Sequence, residues 1–310
     1  MKVFVAGATG VLGRPLVPAL VRAGHEVTGT TRSPARTGAI EAAGATAVVC
    51  DALDRDAVHR AVAAAAPEVV IHQLTALPDR FARLRKGSPE TNRLRTEGTR
   101  HLVDAALSVG ARRVIAESIA FLYEPSGPRI ADEQSPVWQD APDPFGTMIG
   151  ALRELERIVT GTEGIDGVVL RYGALYGPGT WYAPDGDVTA QVRKRRLPIV
   201  GSGEGLTSFV HVDDAAAATV GAVVRGAPGV YNIVDDEPVS YREQLPAFAE
   251  LIGAPAPRHL PAWLVRLLAG GVAVANLTAQ RGASNAKAKH ELGWTLRYPT
   301  WRAGFAAEFG

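Results

Sequence analysis

At 310 residues, with 46% hydrophobic and 21% charged side chains and a formal net charge of +1, the chain can build one large core, alone or with a smaller lobe. The near-neutral balance excludes a nucleic-acid binder acting through a basic surface, since Arg193-Lys194-Arg195-Arg196 is the only dense basic run. A single cysteine, Cys50, excludes a disulfide framework and a multi-cysteine metal site, and no metal ligands are predicted. Met1 runs straight into Lys2-Val3-Phe4-Val5-Ala6 without a leader-type apolar region, so a cytoplasmic protein is expected. The apolar stretch 264–277, carrying Arg266, Gly270, Gly271 and Asn276, is too short to span a bilayer and predicts a lobe helix and turn; no membrane partner is expected.

In chain order, strands are predicted at 3–6, 25–30, 47–50, 69–72, 114–118 and 168–172. Helical spacing falls between them at 12–23, 35–43, 55–66, 90–109 and 150–160. Strands alternating with helices of this length imply right-handed crossovers and an α/β fold, a Rossmann-type doubly wound parallel sheet. After Gly177-Pro178-Gly179 the pattern breaks into shorter pieces. Residues 1–176 are therefore expected to bind a dinucleotide on a sheet completed by later segments, and 177–310 to form mainly a smaller substrate lobe.

Gly7-Ala8-Thr9-Gly10-Val11-Leu12-Gly13 lies between the first strand and the first helix. In that setting Gly7 permits the sharp turn and Gly10 lets the backbone approach a pyrophosphate. Gly13 allows close helix–strand packing, and the helix N–H groups face the phosphates. The second strand ends Thr30-Thr31-Arg32 with no acidic residue to take the ribose hydroxyls. Arg32 can pair with a 2′-phosphate through a charge-assisted hydrogen bond worth roughly 1.5–3 kcal/mol. The expected cofactor is NADP, with NAD as the alternative.

The GxxGxxG spacing resembles the extended short-chain dehydrogenase/reductase family, the NAD-dependent epimerase/dehydratase group. Asp51-Ala52-Leu53-Asp54 is similar to its adenine-contacting Asp-x-x-Asp, and His72-Gln73-Leu74-Thr75-Ala76 to its segment beside ribose and nicotinamide. Leu170-Arg171-Tyr172 through Gly179, Phe209-Val210-His211-Val212-Asp213-Asp214 and Leu292-Gly293-Trp294 match later family segments. The resemblance thus implies cofactor contacts at Gly7, Thr9, Gly10, Val11, Leu12, Gly13, Arg32, Asp51, Ala52, Leu53, Gln73, Leu74 and Thr75.

The resemblance also implies a Tyr-x-x-x-Lys pair, whose phenol handles a proton, and a serine on the fifth strand. The chain contains no Tyr-x-x-x-Lys. With Glu156 as register marker, the pair falls on Met148 and Leu152; the other register gives Phe145 and Ile149. The serine position falls on Ile119, with Ser118 one residue earlier, and the family's asparagine before Gly-Thr is Arg95. Candidate replacements at the carboxyl ends of the strands are Glu117, Ser118 and Tyr176, with Tyr172 another phenol there. Trp181 and Tyr182 are candidate aromatic walls, and His211 is expected to order the lobe.

Three functions stay open at this point. The first is an NADP-dependent oxidoreductase, epimerase or dehydratase on a small molecule, with a substituted acid. The second is a non-redox isomerase, lyase or cyclase on the same scaffold. The third is a dinucleotide-sensing regulator. A small-molecule substrate and a homodimer are the partners this reading carries.

Overall fold

The computed structural model describes residues 1–78, 80–81, 83 and 88–310. Seven parallel strands form the central sheet: β1 Lys2–Ala6, β2 Glu26–Thr31, β3 Thr46–Val49, β4 Val69–His72, β5 Arg113–Ile119, β6 Asp166–Tyr172 and β7 Gly229–Ile233. Their order is β7-β6-β5-β4-β1-β2-β3, so the chain reverses direction between β1 and β4. The six predicted strands are present. The seventh, β7, is supplied by the later half of the chain and pairs with β6.

Period-2 alternation divides the sheet's side chains between two cores. Val3, Val5, Ile71, Ile115, Val168 and Leu170 pack with Leu16, Leu20, Ala215, Ala218 and Ala222 on one face. Phe4, Val70, Val114, Ala116 and Val169 pack with Val58, Val62, Leu102, Leu155 and Val159 on the other. The first face is covered by helices Gly13–Arg22 and Val212–Val224, the second by helices Arg55–Ala65, Thr99–Ser108 and Phe145–Gly161.

Three helical stretches differ from the sequence expectation. The predicted helix 90–109 is three pieces, an α-helix at Pro89–Arg93, a π-helical turn at Leu94–Gly98 and an α-helix at Thr99–Ser108. The helix predicted at 150–160 begins earlier, at Phe145, because Phe145, Met148, Ile149 and Leu152 extend its apolar face one turn back. The stretch expected to be one lobe helix and turn is two helices, Ala262–Ala269 and Gly271–Ala279, with Trp263 and Leu267 exposed. No helix among the described residues is long and apolar enough to cross a membrane.

The C-terminal lobe builds a third core around Phe209, Phe248, Trp301 and Phe305. It is joined to the sheet through the pairing of Ala174–Tyr176 with Phe209–His211. His211 caps helix Val212–Val224, its Nδ1 accepting from the Asp213 amide at 3.1 Å, and its Nε2 lies 3.1 Å from Glu308. Asp214 accepts the amides of Arg297 and Tyr298 at 2.7 and 2.9 Å, which fixes the last segment of the lobe against that helix.

Candidate active site

The glycine loop has the geometry of a phosphate cradle. Gly7 has φ +95°, and a Cβ there would lie 2.5 Å from the Gln73 carbonyl oxygen. At Gly13 a Cβ would meet the Gly7 carbonyl oxygen at 2.2 Å, so only glycine fits either position. Gly10 is exposed, and its Cβ would meet only backbone oxygens, the nearer at 3.2 Å, which leaves its outer side open. Helix Gly13–Arg22 has no side-chain cap and no acidic residue in its first turn, so the positive end of its dipole is not neutralised by the chain, although the Arg14 and Leu16 amides donate to the Gly10 and Leu12 carbonyls. Val11 and Leu12 lead into it, and the Thr9 hydroxyl donates to Thr31 Oγ1 at 3.3 Å. The chain's own residues therefore fit a dinucleotide pyrophosphate.

The adenosine-side residues sit at the ends of β2 and β3. Arg32 forms an ion pair with Glu90, and both side chains are about half exposed. Asp51 accepts the Leu53 amide at 3.0 Å, and the Ala52 carbonyl lies 2.9 Å from His101 Nδ1, so the turn 51–53 is held from both sides. Asp54 caps helix Arg55–Ala65 by accepting from the Ala57 amide at 3.0 Å.

At the carboxyl ends of β4, β5 and β6 the polar groups concentrate. The Leu74 amide donates to His72 Nδ1 at 3.2 Å, so Nε2 carries the proton and donates to the Leu94 carbonyl at 3.2 Å. Burial holds this neutral ring down at about 4. Gln73 Nε2 donates to the Tyr172 hydroxyl at 3.0 Å, which lies 2.7 Å from Thr219 Oγ1; Gln73 Oε1 has no partner among the described residues. Thr75 follows in the same loop and is partly exposed. Glu117 is partly exposed, and its burying surroundings push its carboxyl up to about 7 against the opposing pull of the Arg95 charge.

The three sequence candidates for proton transfer are not brought together. Ser118 follows Glu117 in β5, so strand alternation turns it to the opposite face. There its hydroxyl donates to Glu156 Oε1 at 2.7 Å. Glu156 is bound bidentately by Arg171 at 2.8 and 2.6 Å, and Arg171 also donates to the Tyr123 hydroxyl at 3.0 Å. Tyr176 is fully enclosed in the lobe core, with Phe305 at 4.6 Å and Phe209 at 6.1 Å between centroids. Its hydroxyl lies against Gly304 without a hydrogen-bond partner among the described residues, and burial pushes its pKa well above the ordinary phenol range. Tyr182 packs in the same aromatic core rather than walling a substrate site. Trp181 instead donates to the Pro78 carbonyl at 3.2 Å and meets Phe81 edge-on.

Ile119, Met148 and Leu152, the positions aligned with the family's serine, tyrosine and lysine, lie in one apolar cluster. Phe145 and Ile149, the alternative register, are in the same cluster. Thr219 and Glu156 had no assigned chemistry in the sequence. A charged Arg171 inside an apolar strand was the signal that an acidic partner had to exist.

Comparison with known proteins gives these features a family. The model of the "NAD dependent epimerase/dehydratase family" matches residues 3–234. The 3-diazoavenalumate denitrifying reductase of a Streptomyces species is 49% identical over 99% of this chain and 100% of its own length. Among solved structures, UDP-glucose 4-epimerase of Thermotoga maritima superposes with a TM-score of 0.79 at 20% identity, covering 100% of this chain and 97% of that one. MoeE5, solved with UDP-glucuronic acid and NAD, gives 0.74 at 25% identity, covering 100% and 98%. The glycine cradle, the sheet order and these matches agree: the chain belongs to the NAD-dependent epimerase/dehydratase family and is built to bind a nicotinamide dinucleotide.

Proposed function

We propose that the protein is an NADPH-dependent reductase that replaces the diazo group of an aromatic carboxylate by hydrogen, with loss of dinitrogen. The observation that carries this reading is the apolar cluster of Ile119, Met148 and Leu152 where a proton-handling trio would otherwise stand. Reduction of a carbonyl develops an alkoxide, which needs a positioned acid and oxyanion donors. Hydride delivery to an aryl diazonium develops no oxyanion, so apolar walls suit it. The 49% identical relative, named for reducing and denitrifying a diazo compound, supports the same reading.

The nicotinamide, when bound, supplies a hydride and is oxidised by two electrons. In the net reaction the hydride pair forms the new C–H bond, the C–N bond breaks, and dinitrogen leaves with that bond's electron pair. The substrate's positive charge is cancelled by the hydride, and no proton is consumed. A substrate arriving as the uncharged diazo form requires one proton per turnover. Glu117, protonated up to about pH 7, is the group that holds it. Gly7, Gly10 and Gly13 admit the pyrophosphate and Gln73 to Thr75 border the nicotinamide half. Arg32 takes the 2′-phosphate of NADPH.

The test is an aryl diazonium carboxylate mixed with the protein and NADPH deuterated at C4. Dinitrogen and NADP should form one to one, with deuterium on the former C–N carbon. Glu117→Gln should slow turnover of the uncharged diazo form by about 10²–10⁴-fold, and the wild-type rate with that form should fall as pH rises through about 7. Formation of an alcohol from a carbonyl substrate, with no dinitrogen from the diazo compound, refutes the reading.

A further inference from the structure

Arg95 is the least satisfied charge near the strand ends. It is 4% exposed, its Nε has no hydrogen-bond partner, and its guanidinium enters no salt bridge within 4.0 Å among the described residues. It projects from the π-helical turn Leu94–Gly98, against which helix Phe145–Gly161 packs. Its charge acts on both His72 and Glu117, the residues at the carboxyl ends of β4 and β5. That position is where open α/β sheets receive their ligands.

Guanidinium does not shed its proton in proteins, so burial cannot neutralise it as it neutralises His72. A buried cation without a partnered anion is unfavourable for the free protein. Glu117 is felt only at longer range, and burial favours its neutral form at neutral pH and below. An arrangement of this kind is relieved when a ligand brings the missing negative charge. The planar fork of donors matches a carboxylate in two parallel hydrogen bonds.

We propose that Arg95 anchors an anionic oxygen of the substrate, a carboxylate, at the carboxyl ends of β4 and β5. This rests on the reading that the same mouth receives the substrate, and it makes Arg95 a specificity determinant for acids over their uncharged derivatives. The reacting carbon and the anchoring carboxylate are then held by separate groups of the protein, Arg95 binding one end while Glu117 serves the other.

The experiment is calorimetry on the full chain saturated with NADP, titrated with 4-hydroxycinnamate and with its amide. Neither compound can be denitrified, so failure of the diazo chemistry leaves this test intact, and its failure leaves the diazo chemistry untouched. The acid should bind at least tenfold more tightly than the amide. Arg95→Met should weaken the acid by about ten- to hundredfold, down to the level of the amide, with NADP affinity unchanged. Arg95→Lys should retain part of the preference. Because Arg95→Met removes a buried unpaired charge, the ligand-free variant should melt about 2 °C or more above wild type. Equal affinity of acid and amide for wild type, a loss of NADP binding instead of acid binding, or a variant that melts lower or fails to fold overturns the proposal.

Discussion

If NADPH is the cofactor, Arg32 must exchange partners when it binds. Its ion pair with Glu90 is half exposed and worth at most about 1 kcal/mol. A charge-assisted contact with a 2′-phosphate is worth roughly 1.5–3 kcal/mol, so the phosphate wins the competition. NADPH should bind about tenfold or more tightly than NADH, and Arg32→Ala should erase most of that difference. Glu90→Gln, which frees the guanidinium, should tighten NADPH severalfold and leave NADH unchanged. Titration calorimetry decides, and equal affinities of wild type for the two cofactors remove Arg32 from the site. The glycine loop was legible in the sequence because backbone geometry admits only one residue type at Gly7 and Gly13. The Arg32–Glu90 pair was not, because the partners are 58 positions apart and only the fold brings them together.

At the scale of elements, helix Phe145–Gly161 carries Glu156, which binds Ser118 of β5 and Arg171 of β6. Arg171 continues through the Tyr123 hydroxyl, which donates to Asn232 of β7 at 2.6 Å. One buried network thus ties a helix to three neighbouring strands, and it absorbs the serine expected to be free for chemistry. Glu156→Gln leaves the Arg171 guanidinium without its counter-ion and should destabilise the protein by about 3–5 kcal/mol in denaturant unfolding. Ser118→Ala should cost only about 1–3 kcal/mol, since it leaves the ion pair intact. Comparable effects of the two substitutions would show that the ion pair is not what holds the helix to the sheet. The strands themselves were legible as short apolar runs between helical stretches. The π-helical turn that presents Arg95 was not, since Leu94-Arg95-Thr96-Glu97-Gly98 carries no signal that separates it from an α-helical turn and the extra residue per turn is decided by packing. Two-residue pairings such as Ile130–Ala131 with Gly282–Ala283 leave too short a pattern to read.

Across the whole molecule, the later half returns to the sheet through helix Val212–Val224 and β7, so the sheet and the lobe share residues around Asp235. This carboxylate follows β7, is 1% exposed, and accepts the Glu237 amide at 3.3 Å through Oδ1, while Oδ2 has no hydrogen-bond partner among the described residues. Burial pushes it from 3.8 to about 8, so the folded protein keeps a proton that the unfolded chain has released. Through this group the unfolded state binds fewer protons across that window, so its contribution to stability falls as pH rises from about 4 to about 8. Glu117 acts with the same sign between 4.5 and about 7, and His72, held down from 6.5 to about 4, acts with the opposite sign, so the wild-type slope contains all three groups. Asp235→Asn keeps the shape and removes the titration. Its urea midpoint should match or slightly trail wild type at pH 4.5 and exceed it at pH 8, with the two curves crossing between. Parallel curves over that range would mean that Asp235 is ionised in the folded protein and has a counter-charge at Oδ2.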